Sequence, residues 1–286
     1  LESVNMNENR ITQRIFEEVD FTEFKKIKLE HNKIRTLDTS LFLESGLEHL
    51  NLGQNPIDPE LRSFILEAKL GLKVLNLDQS SGQLLNSLDF SSINSNIESI
   101  SLRSNFLNDQ LVKHLNSLNL KVLDLKDNNI GPKGAFWIAQ TLRRTPIRSL
   151  NLNQNQISND GAYSLANALA FSHLEELKLK ANQIYLQGCV KLLTALTKSQ
   201  LTHLDLSQNS LGSEVGKTLI KVLPKSYLRS LNLSWTSIDL EGAKGIAEAL
   251  PDSPLQSLYL KGNYLCDRGT KVIAEAIPLS CLTLLN

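Results

Sequence analysis

Six times in succession, from Leu120 to Leu282, the frame L-x-x-L-x-L-x-x-N-x-I restarts after 27 residues. LKVLDLKDNNI begins at Leu120, IRSLNLNQNQI at Ile147, LEELKLKANQI at Leu174, LTHLDLSQNSL at Leu201 and LQSLYLKGNYL at Leu255. Earlier copies begin at Leu1, Phe24, Leu47, Leu72 and Ile97, with spacings of 23, 23, 25, 25 and 23 residues. Only one class of architecture tolerates such regularity. A unit this short cannot bury its apolar face alone, so each copy must stack on the next. The 286 residues are therefore expected to form one solenoid domain, 1–286, rather than separate globules. Residues 1–119 carry the shorter repeats and 120–286 the regular ones.

Within a repeat, apolar residues alternate, as at Leu150 and Leu152, which marks a short strand with one buried face. The ninth position is Asn in nine copies, for example Asn155, Asn182 and Asn209. An amide there can donate to and accept from turn backbone that would otherwise be buried unpaired, so stacked copies predict an asparagine ladder. Ser80 and Thr236 replace it in two repeats and are expected to do part of the work with one hydroxyl. Behind the strand, Ala162, Leu165, Ala166 and Leu169 share one helical face, and Ala243, Ile246, Ala247 and Leu250 repeat the pattern. Pro132 and Pro59 suit first helical turns. Gly134, Gly161, Gly188, Gly242 and Gly269 recur at one position, where a side chain would hinder close approach. The ninth repeat breaks this rule with Val215 followed by Gly216, which predicts a displaced helix. Helices are about 10 Å wide while strands sit about 4.8 Å apart, so stacking both layers predicts a curve with strands inside.

The frame, together with N-x-I-x-x-x-G-A at Asn155 to Ala162 and the following Ala/Leu helix, resembles the leucine-rich repeat family over essentially the whole chain. The 27-residue copies look like its ribonuclease-inhibitor-type subclass. The resemblance implies a right-handed α/β horseshoe solenoid with a parallel concave sheet and convex helices. It also implies a non-catalytic module that binds a partner protein on its concave face. The repeat regions of bacterial effectors that act on host proteins are the leading likeness, because the ninth position is not cysteine-rich. Ligand-sensing domains of intracellular immune receptors and GTPase-activating or other enzyme-regulating repeat proteins are the alternatives.

Composition narrows the function further. Thirty Lys plus Arg balance thirty Asp plus Glu, which is not the charge of a general nucleic-acid binder. No apolar run is long enough to span a membrane. The three cysteines, Cys189, Cys266 and Cys281, have no metal-site spacing and suit a reducing compartment, so a cytoplasmic location is expected, the host cytosol for an effector. The first residues lack the apolar core of a signal peptide. No polar cap closes the array, so the expectation is either a fragment or caps in flanking sequence. No catalytic constellation, cofactor motif or metal-ligand cluster is present in the sequence. The expected state is a monomer with a protein partner, no nucleic acid and no membrane span.

Strand residues between the leucines are expected to point into the hollow. On that surface Trp235 occupies the eighth position of its repeat, Tyr259 lies one repeat on, and Gly262 leaves room beside the ring. Interface hot spots favour Trp and Tyr. The candidate partner-binding set is Trp235, Tyr259, Asn232, Asp205, Lys178, Lys180 and Lys261. The other reading of Trp235 is a ring lying flat over the strand edge, covering the gap left by Thr236. A second aromatic group, Phe136, Trp137, Tyr163 and Val190, falls on the outer helices and reads either as lateral helix packing or as another contact surface.

Overall fold

Each copy of the frame commits three residues at most to a strand, because the leucines at its fourth and sixth positions must turn inward while the chain leaves for the helix layer. The computed structural model describes residues 2–36, 45–58, 71–79, 96–110, 112–113 and 119–286. Pro59 and Ser80 lie outside them. The chain divides into two units, Leu1–Asn128 and Asn129–Asn286.

The first unit holds β1 (Ser3–Asn5), β2 (Lys26–Lys28), β3 (His49–Asn51), β4 (Val74–Asn76), β5 (Ser99–Ser101) and β6 (Val122–Asp124). Each pairs in parallel with the next, motif position against motif position, as in Ile27 with Leu50 and Leu50 with Leu75. A short helix, α1 (Ile15–Glu18), follows β1, and Phe16 and Phe21 pack at 5.0 Å beside it.

The second unit holds β7 (Ser149–Asn151), β8 (Glu176–Lys178), β9 (His203–Asp205), β10 (Ser230–Asn232), β11 (Ser257–Tyr259) and the two-residue β12 (Leu284–Leu285). The same parallel register runs through Leu204, Leu231 and Leu258. Its helices are α2 (Pro132–Leu142), α3 (Ser158–Leu169), α4 (Leu186–Ala195), α5 (Val215–Val222), α6 (Leu240–Ala249) and α7 (Cys266–Ala276). Ala162, Leu165 and Leu169 of α3 are buried, as are Ala243 and Ile246 of α6, so the apolar stripe faces the strands as its periodicity requires. Pro132 stands at the first turn of α2.

The asparagine ladder is present in both units. Asn209 donates to the carbonyls of Leu179 and Leu206, both at 2.9 Å, and accepts from the N–H groups of Asn182 and Ile184 at 3.0 Å. Asn32, Asn55, Asn128 and Asn263 make the same kind of bridge from one turn to the next. Thr236 is fully buried and its hydroxyl donates to Leu233 O at 2.6 Å. In the repeat before it, the Leu211 N–H turns to the Thr236 and Asn209 carbonyls at 3.2 Å instead of a side-chain amide. One hydroxyl thus does part of the amide's work.

Two outcomes follow from this packing. Asn209→Ala strips two carbonyls of a donor and two N–H groups of their acceptor in a buried turn, and should cost about 2–4 kcal/mol in urea unfolding. Asn9→Ala, at an exposed first copy, should cost under about 0.5 kcal/mol. Cys189 is buried with its thiol pushed up to about 12 by burial, while Cys266 and Cys281 are exposed. Iodoacetamide should therefore label Cys266 and Cys281 in the native protein and reach Cys189 only in denaturant, as counted by intact mass.

Candidate functional site

Alternation along a strand puts the third and fifth motif positions on one face. Across β8, β9, β10 and β11 these positions line a depression of about 220 Å³. Lys178, Asp205, Asn232 and Tyr259 come from the fifth position, and Glu176, His203 and Ser230 from the third. Four of the seven residues expected from sequence are therefore brought together. Lys180, Trp235 and Lys261 belong to the seventh and eighth positions, on the turn past the strand, and do not line this depression. Glu176, His203 and Ser230 were missed, although the two-residue period places them beside the fifth-position residues.

The asparagines and aspartates of the fifth position have a structural duty as well. Asn232 accepts from the Ser234 N–H at 3.0 Å and Asp205 from the Ser207 N–H at 2.9 Å, and Asn51, Asn76, Asp124 and Asn151 close the same turn. In three repeats whose fifth residue is Lys or Ser, namely those of Lys28, Ser101 and Lys178, a neighbour takes over. Asn153 accepts from the Lys180 N–H at 2.8 Å, and Asn7 and Asp78 do the same for Glu30 and Arg103. The Lys178 ammonium has no acceptor to offer the Lys180 N–H, so the turn is closed from the neighbouring repeat. That ammonium lies 2.8 Å from Glu176, whose other carboxylate oxygen accepts from the Ser149 hydroxyl at 2.6 Å. Burial pushes the Glu176 pKa up, but the hydrogen bonds from Lys178 and Ser149 more than reverse it, and the net direction is down. Glu176 is thus held as an anion beside its lysine, near the His203 ring and the Asp205 carboxylate.

Trp235 sits past this depression with an unusual backbone. The eighth motif residue has φ between +47° and +70° in every one of its eleven described copies, from Glu8 to Gly262. Trp235 is at +60°, a region that bulky residues seldom enter. Its indole lies across the next repeat. A Cβ built on Gly262 would stand 2.3–2.5 Å from three of its ring carbons, so only glycine admits the ring in this pose. The ring is still 55% exposed. It lies against the neighbouring turn at Gly262 and stays exposed to solvent on its outer side.

Phe136 and Trp137 of α2 meet edge-on at 5.2 Å. Phe136 is exposed, and Trp137, Tyr163 and Val190 are half-buried. Among the described residues no cluster of three His, Cys, Asp or Glu could hold a metal ion, and no helix is long and apolar enough to cross a membrane. The strand face offers fixed donors and acceptors of both signs on a rigid sheet, an arrangement suited to binding.

A leucine-rich-repeat family model matches residues 116–139, 145–166 and 225–247, and a second one matches 200–222. No curated protein sequence gives a significant match. Among solved structures, 208 chains match, so the architecture by itself narrows the partner very little. One is an internalin from Listeria monocytogenes, 19% identical, with a TM-score of 0.59 over 100% of this chain and 86% of that one.

The pose of Trp235 has a spectroscopic consequence. With Trp137 replaced by Phe, Trp235 is the sole indole. Gly262→Ala should then displace it, seen as a red-shifted emission and stronger iodide quenching, while the circular dichroism stays unchanged. The repeat matches, the parallel strands in motif register and the asparagine bridges agree on one conclusion: the chain folds as a leucine-rich-repeat solenoid.

Proposed function

We propose that this chain is a non-catalytic protein-recognition module whose second unit grips a partner protein on its strand face. The observation that carries the reading is the depression across β8 to β11, where Lys178, Glu176, His203, Asp205 and Tyr259 converge, with the exposed face of Trp235 beyond it. Exposed Trp and Tyr are favoured at interface hot spots, and charged residues beside them suit the polar rim of a contact. Lys180 and Lys261, on the turns past the strands, extend the contact toward Trp235.

The 27-residue repeats, each with a helix behind its strand, support a ribonuclease-inhibitor-type subclass. The role proposed is that of a bacterial effector's repeat region acting on host proteins in the host cytosol. The polar ninth position and the free thiols support it.

The test is capture from a host-cell lysate by wild type beside a Trp235→Ala, Tyr259→Ala double variant that melts normally. A protein held by wild type should bind the double variant with a loss of about 2 kcal/mol or more, roughly 30-fold in Kd. Equal binding by both would remove the strand face from the reading. Stimulation of GTP hydrolysis when small GTPases are added would replace it with an enzyme-regulating role.

A further inference from the structure

The helix layer of the second unit contains a fault, and the fault opens a groove. In most repeats the glycine after the turn lets its helix close on the one before. A Cβ on Gly188 of α4 would stand 3.1 Å from Ala162 Cβ and 2.6 Å from the Asn159 side chain, both on α3. Asn159 also accepts from the N–H groups of Tyr185 and Gly188 at the start of α4. In α5 this glycine is Val215, fully buried, and α5 stands off from α4. It packs more extensively on α6, where a Cβ on Gly216 would meet Gly242 O at 2.6 Å and one on Gly245 would meet Gly216 C at 2.6 Å. Asp239, which caps α6, is also hydrogen-bonded to Ser213 just before α5.

The space left between α4 and α5 is about 630 Å³. Its apolar lining comes from Leu186 and Val190 on α4 and Val222 on α5. Its far wall is basic. Lys217 and Lys221 stand one turn apart on α5, Lys225 follows in the 3-10 turn that continues it, and all three are exposed. Like charges one helical turn apart weaken a helix by a few tenths of a kcal/mol per pair. Lys217 is bonded to Glu214 at 2.7 Å, and Glu214 is the one acid lining the groove. Neither Lys221 nor Lys225 forms an ion pair among the described residues.

We infer that the α4–α5 groove is a second docking site, and that it takes an acidic amphipathic helix from a partner protein. An apolar stripe would fill the floor over Val190 and Val222, and carboxylates along its edge would meet Lys217, Lys221 and Lys225. A helix is about 10 Å across with side chains and presents apolar residues at i, i+3, i+4 and i+7, which is the recognition mode an elongated groove between helices serves. The site is on the opposite layer from the strand face and is independent of what binds there.

The probe is a displayed library of helical peptides with a fixed apolar stripe and flanks randomised among Asp, Glu, Lys and Arg. It is selected on the full chain, and the winners are measured by fluorescence anisotropy. Selected peptides should be net acidic. Lys217→Glu, Lys221→Glu, Lys225→Glu together should weaken them about 30-fold or more, with a steep salt dependence in wild type. Thr194→Trp, on the α4 rim, fills the groove without changing charge and should weaken them about tenfold. Trp235→Ala, Tyr259→Ala should bind them as wild type does. Absence of any enriched peptide, enrichment without acidic bias, or full binding by the folded Thr194→Trp variant would each overturn the inference. So would binding to phosphatidylserine vesicles through the same lysines with no peptide selected.

Discussion

The interaction on which everything else rests is the side-chain amide at the ninth position. A chain that leaves a three-residue strand after every turn exposes carbonyls and N–H groups inside a stack that water cannot reach, and each unpaired group would cost one to several kcal/mol. An asparagine answers two donors and two acceptors at once and does so across neighbouring turns. Asn209 ties its own turn to the one before it, and Asn263 does the same for Thr236 and Ile238. The strand register, and with it the position of every residue on the strand face, is set by that bridge.

This dependence explains what was legible in the sequence. The amide ladder, the buried leucines and the stripe of α3 and α6 each follow from a period, and a period survives in a bare string of letters. Thr236 could be recognised as a weaker substitute because one hydroxyl has one proton to give. Val215 signalled a displaced helix because it stood where other repeats have glycine. The candidate site was only half visible. In the sequence the fifth position reads as a surface for partners, yet Asn232 and Asp205 also close their own turns. That use depends on side-chain direction at the strand exit, which no periodicity encodes. Glu176 and His203 were visible in principle, since the third position shares a face with the fifth. The left-handed eighth residue was hidden, because glutamine, serine, histidine and alanine all occupy it without advertising a conformation.

Trp235 shows how one turn can fix a side chain that stays exposed. A bulky side chain in the left-handed region has few places to go, and Gly262 provides one by having no side chain of its own. Packing on the next turn holds the ring in one pose while it remains exposed, so on the proposed reading a partner would not have to order it. Rigid aromatics are effective anchors for this reason: the entropy of holding them is spent in folding. Lys178 is held in a different way, by its pairing with Glu176, while Asn153 closes the turn below it.

The stand-off between α4 and α5 bears on how the second unit comes apart. In a stacked array, stability is the sum of what each repeat contributes and what each shares with its neighbour, so cooperativity is only as strong as the thinnest joint. Strand pairing and the asparagine bridges run through this joint undiminished, with β8 bonded to β9 and Asn209 to Leu179. The helix layer does not. Opening is therefore expected to begin between α4 and α5 while the sheet beneath stays paired. Local opening at this joint is expected to precede unfolding of the sheet beneath it.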